Sequence, residues 1–136
     1  MGLDMYVRGI TEIENAPSHG CLDYDAMEAD GAEVFELKYW RKFNNLHGWM
    51  ERLYADKGGT EQFNCQSVRL TLEDLARLER EVLEEPGAFA PTPGFLFGSQ
   101  EDLTLEDKTN IIEFVGRARA FLWRNPDGAV YYDSWW

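Results

Sequence analysis

Five side chains in this 136-residue sequence have the chemistry of a small polar-ligand site: Trp40, Arg41, Asn44, His47 and Ser99. Trp40 offers a flat face for stacking and Arg41 a cation for an anionic group such as a phosphate. Asn44, His47 and Ser99 offer polar contacts. Trp40, Asn44 and His47 recur at i, i+4, i+7, a spacing that stacks them along one face if they share a helix. His47 titrates near neutral pH and Cys65 is a latent nucleophile, so a base and a thiol are both present. No spacing in the chain forces the two to meet, and no catalytic residue is assigned on this reading. Cys21, Cys65, His19 and His47 contain no CxxC or HxxxH pattern, so neither a metal nor a cofactor is expected.

The elements that must position these residues follow from hydropathy patterning. Tyr39, Phe43, Leu46, Met50 and Leu53 recur at three- and four-residue steps and predict a helix from about residue 38 to 55, closed by Gly58 and Gly59. Leu3, Met5 and Val7 alternate with Asp4, Tyr6 and Arg8, the pattern of a half-buried strand. Residues 33–37 predict a second short strand, 63–70 a third and the aromatic stretch 129–136 a closing one. Thr71 with Asp74 forms a capping box ahead of Leu72, Leu75, Leu78 and Val82, predicting a helix to about Glu85, where Pro86–Gly87 stops it. A last helix is expected over 103–123, with Leu105, Lys108, Ile112, Val115, Arg119 and Leu122 tracing its face and Ile111, Phe114, Ala118 and Phe121 widening it. The stretch Pro91–Thr92–Pro93–Gly94–Phe95–Leu96–Phe97–Gly98–Ser99 reads as a strand between tight turns. The sum is one α+β domain spanning 1–136, with a mixed or antiparallel sheet of four to five short strands packed by about three helices.

Charge limits the partners. The chain carries 13 basic and 25 acidic side chains, a net charge of −12, and residues 1–36 hold nine acids against Arg8 alone. That balance disfavours direct nucleic-acid binding, which needs clustered Lys and Arg. It favours approach to a basic surface on another protein, with Asp23, Asp25, Glu28 and Asp30 as the expected contacts. Asp23 and Asp25 mimic the start of a calcium loop, but the glycine and bidentate glutamate of an EF-hand are missing. The acid-rich run 23–31 reads as a loop. No apolar run of membrane-spanning length and no signal peptide is present, so a cytoplasmic location without membrane contact is expected.

Several motifs occur together and in order. They are the opening Met1–Gly2–Leu3–Asp4–Met5–Tyr6, the run Tyr39–Trp40–Arg41–Lys42 with Asn44, Leu46, His47 and Trp49, and the pair Asn64–Cys65. Pro91–Thr92 with Gly94 to Ser99 follows, then Tyr131–Tyr132 with Ser134–Trp135. In this conjunction the chain resembles a family of small phage and prophage proteins that begin with the MGLDMY opening. Pro93, the acidic loop after the first strand and Asp133 depart from the family pattern. The resemblance implies an accessory factor of a host-cell cytoplasm that binds a host component, antagonists of host defence such as anti-CRISPR proteins being one such group; that step is analogy. The alternative is a protein that binds or sequesters a small anionic ligand, with a nucleotide as one candidate, through the Trp40–Arg41–Asn44–His47–Ser99 set.

Overall fold

The computed structural model describes residues 2–89 and 103–136, and every structural statement below concerns those residues. The stretch containing Ser99 and the Gly94–Gly98 motif lies outside them. Strands β1 (Asp4–Ile10), β2 (His19–Gly20), β3 (Val34–Arg41), β4 (Ser67–Arg69) and β5 (Ala129–Trp135) form one antiparallel sheet in the order β2-β4-β5-β1-β3. The helices are α1 (Tyr24–Ala29), α2 (Asn44–Asp56), α3 (Leu72–Glu84) and α4 (Leu105–Arg124), with a 3-10 turn at Pro86–Phe89. The fold is α+β, as the alternation of strand and helix patterns requires.

Side-chain alternation along β1 divides the sheet into two faces. Met5, Val7 and Gly9 look toward a large core that includes Trp40, Val130 and Tyr132 with α2, α3 and α4. Gly9 is needed there, because a Cβ at this position would lie 2.7 Å from the Phe121 ring on α4. The opposite face carries Tyr6, Arg8 and Ile10. Ile10, Ala129 and Tyr131 form a second, smaller core under Leu22, Tyr24 and Met27 from the segment between β1 and β3. Burying both faces of the sheet accounts for its apolar aromatic closing strand.

The long predicted helix over 38–55 is corrected. Residues up to Arg41 belong to β3, and α2 starts at Asn44. Lys42, in the left-handed region at φ +57°, turns the chain between them. The apparent helical spacing of Tyr39 and Phe43 with Leu46 therefore joined a strand and a helix. The acid-rich run is corrected too: it folds as α1, whose N-cap Asp23 accepts from the Ala26 amide at 3.0 Å. In α4 the buried stripe is Ile111, Phe114, Val115 and Ala118, whereas Leu105 is exposed.

The Thr71 capping box is present. Thr71 Oγ1 accepts from the Asp74 amide at 3.2 Å, and Asp74 Oδ2 accepts from the Thr71 amide at 2.9 Å while pairing with Lys57. These bonds and the ion pair hold the Asp74 carboxyl below its usual range against the opposing pull of burial. Thr71→Ala removes one of the reciprocal bonds and is expected to cost about 1 kcal/mol in urea unfolding. A loss below about 0.3 kcal/mol would mean that solvent caps the helix equally well.

Candidate functional site

Four of the five residues expected to form a ligand site are described, and they do not share a cavity. Trp40 and Arg41 are consecutive on β3 and so point to opposite faces of the sheet. Trp40 is in the large core, edge-on to Phe43 and Phe114, and Arg41 is exposed. Asn44 is buried at the start of α2. His47 is 1% exposed; its Nδ1 lies 2.8 Å from the Tyr132 hydroxyl and its ring stacks on Phe63. Burial lowers its pKa to about 4, so the ring is neutral at physiological pH. Neither ring nitrogen bonds Cys65 or Asp4: Nδ1 faces Tyr132 and Nε2 has no hydrogen-bond partner among the described residues. The single helical face proposed for Trp40, Asn44 and His47 is thus withdrawn, because Trp40 is a strand residue.

The residues expected to meet a partner fare differently. Asp23, Asp25, Glu28 and Asp30 all lie on or beside α1, and all are exposed. Asp23, Asp25 and Glu28 border a cleft of about 770 Å³ together with Glu36 of β3. Around the other side of α1, Glu12, Glu14 and Asp30 border a second depression of about 350 Å³. One helix therefore sits between two acid-lined hollows. Among the described residues, no ion pair involves any of these carboxylates; all such pairs lie elsewhere.

Arg8, the one base of the first 36 residues, does not relieve this charge. It lies at the floor of the cleft in an ion pair with Asp133 of β5. The guanidinium carbon lies 4.5 Å from the centre of the Tyr6 ring and 4.8 Å from that of Tyr24. Burial pushes the Asp133 carboxyl up, and Arg8 opposes that shift. The Tyr24 hydroxyl lies 2.6 Å from Ser67 Oγ, and burial followed by the Asp133 charge raises its pKa, so it stays protonated. Tyr131 is pushed up to about 12 by burial and donates to the Pro17 carbonyl at 2.7 Å. These interactions clamp α1 and its flanking loops onto the sheet. Sequence reasoning missed this Arg8–Asp133–Tyr24–Ser67 cluster. The alternation of β1 placed Arg8 opposite Leu3, Met5 and Val7, but the pairing of the first strand with the last was not legible.

The chain matches no protein-family model, no curated protein and no solved structure. Among the described residues, no three His, Cys, Asp or Glu side chains converge as metal ligands, and no helix is long and apolar enough to cross a membrane.

Proposed function

We propose that this protein acts by binding a basic surface on a host protein, and that the α1 face is the contact. The observation that carries this reading is the exposed acid set around α1, left without ion pairs while Arg8 is neutralised by Asp133. A rigidly held acidic helix can occupy a groove that otherwise accepts nucleic-acid phosphates, because both present closely spaced negative charge to Lys and Arg. The resemblance to small phage proteins adds the biological setting: an accessory factor in the host cytoplasm, of the kind that antagonises host defence, as anti-CRISPR proteins do.

The test neutralises the face without unfolding it. In the variant Asp23→Asn, Asp25→Asn, Glu28→Gln, Asp30→Asn, shape is retained, and asparagine at position 23 still caps α1. Tagged wild-type protein is expected to retain a host protein from lysate at low salt, and that protein is expected to bind nucleic acid in competition with it. Retention should fall about tenfold or more in the variant and should fall with rising salt, since exposed charges are screened beyond about 10 Å at 0.1 M. Equal retention by the variant, or binding that ignores salt, would overturn the assignment. So would the absence of any retained protein.

A further inference from the structure

We infer that the protein pairs with a second copy of itself through the free edge of β3, joining two five-stranded sheets into one. β3 is the outermost strand beyond β1, so its far side has no ladder partner among the described residues. Its register with β1 slips between Val7 and Arg8: Val7 faces Lys38 and Arg8 faces Glu36, which leaves Leu37 as an extra residue. The Thr11 amide donates to the Glu33 carbonyl at 3.0 Å, and the Lys42 amide donates to the Leu3 carbonyl at 2.8 Å. Positions 33 and 42 therefore turn their backbone groups inward, toward the β1 side. Antiparallel alternation then turns Val34 and Glu36 outward on one side of the bulge, and Tyr39 and Arg41 outward on the other.

These four outward positions are symmetric about the midpoint between Leu37 and Lys38. A twofold axis at that point sets Val34 opposite the second copy's Arg41, and Glu36 opposite the second copy's Tyr39. The outward amides and carbonyls of these four residues then meet one another, while the Leu37 carbonyl at the bulge accepts from Arg117 of α4 at 3.1 Å within each copy. A bulge normally guards an edge because it is out of step with a regular strand. A second copy carries the same bulge at the same step, so this edge excludes ordinary strands and accepts its own.

The side chains agree with this register. The N-terminal half of β3 with its approach holds Glu33 and Glu36, and the C-terminal half with its exit holds Lys38, Arg41 and Lys42. Antiparallel pairing lays the acidic half of one copy over the basic half of the other. Glu36 becomes the diagonal neighbour of the second copy's Arg41. That arginine also faces Val34, which borders the cleft shared by Asp25 and Glu28. Phe35 and Tyr39, 45% and 43% exposed, are covered in the pair. A groove of about 890 Å³ between β3 and α4 leaves room on the helical face, where a Cβ on Gly116 would meet nothing within 4 Å. The inference does not depend on the partner proposed for α1, although it would set two α1 faces on one side of the joined sheet.

Sedimentation over a wide concentration range is expected to show a monomer passing to a dimer. Glu36→Lys and Arg41→Glu each create a like-charge contact twice per dimer and should weaken the dimer about tenfold. The double exchange, Glu36→Lys with Arg41→Glu, should restore it. Both residues are exposed and neither forms an ion pair within the protomer among the described residues, so the far-ultraviolet spectrum should stay unchanged. In the dimer, amide exchange at Val34, Glu36, Tyr39 and Arg41 should slow with concentration. A monomer at every concentration overturns the inference. So does a dimer that ignores both reversals, or one that leaves those four amides unprotected.

Discussion

Replacing Arg8 with methionine is expected to destabilise the protein by about 3 kcal/mol at neutral pH, the scale of a buried charge left without its counter-ion. Methionine keeps the apolar stem between the Tyr6 and Tyr24 rings, so the change isolates the guanidinium. Asp133 would then keep only 17% of its side chain in contact with solvent and no cation beside it. Burial already raises its carboxyl, and losing Arg8 raises it further. A carboxyl whose folded pKa lies above its unfolded value contributes stability below the unfolded pKa and loses it as pH rises through the folded one. The deficit should therefore be largest at pH 7 and shrink as pH falls toward the ordinary aspartate range. Asp133→Asn in the Arg8→Met background should recover a part of the loss at neutral pH. Urea unfolding of the three proteins, at pH 7 and near pH 4.5, measures each step. If the double variant is no more stable than Arg8→Met, the buried charge is not what the arginine offsets.

How much of this molecule was readable beforehand depends on whether the deciding interaction was local. The capping box of α3 lies within four residues, and both of its bonds are where the sequence placed them. The alternation of Leu3, Met5 and Val7 marked the face of β1 that carries the main core. The boundary of α2 was not local in this sense. Tyr39 and Phe43 fall at a helical spacing from Leu46, yet Tyr39 pairs with Tyr6 on β1, and ladder pairing overrides periodicity. A signal was available in Val34–Phe35 and Tyr39–Trp40, which are β-branched and aromatic residues typical of a strand. Similarly, the acidic run at α1 has low apolar content, and only its Asp23 cap and the anchors Tyr24 and Met27 mark a helix.

The candidate site divides in the same way. The acid-rich segment is visible in composition, because exposure is the expected fate of carboxylates. Its backing is not visible, since Arg8 and Asp133 are 125 residues apart and meet only because β1 pairs with β5. The run Trp40–His47 is unusual in its residue types, but Trp40, Asn44, Asn45 and His47 build the interior while Arg41 and Lys42 are exposed. Trp49 donates to Glu81 at 3.2 Å, Glu81 accepts from Arg77, and the Asn45 amide donates to the Phe89 carbonyl. Polar side chains on a buried helix are here hydrogen-bonding groups that fix how α2 docks against α3 and the turn after it.

Acidification is expected to remove about 3 kcal/mol of stability through His47 alone. Its pKa lies at about 4 in the folded protein against 6.5 in the unfolded chain. That gap corresponds to about 3 kcal/mol in the limit of full loss. The unfolded chain binds a proton as pH falls below 6.5, whereas the folded ring resists it until about 4. Stability is therefore complete above pH 6.5, falls through that window, and stops falling from this cause below pH 4. The physical origin is the ring's setting: Phe63 covers one face, and Tyr132 is raised well above its ordinary pKa by burial and remains a hydroxyl. That hydroxyl shares a hydrogen bond with the neutral imidazole at Nδ1 and has no counter-charge to offer an imidazolium. His47→Gln keeps a polar, neutral group that does not titrate in this range, so its own cost should be nearly constant with pH. Asp133, raised by burial, responds to acid in the opposite sense in both proteins and cancels in the comparison. Unfolding free energies of wild type and variant, taken in half-unit steps from pH 7.5 to 4, should converge as pH falls. Parallel curves would mean that the folded imidazole binds protons as readily as the unfolded one, which the closed contact with Phe63 and Tyr132 forbids.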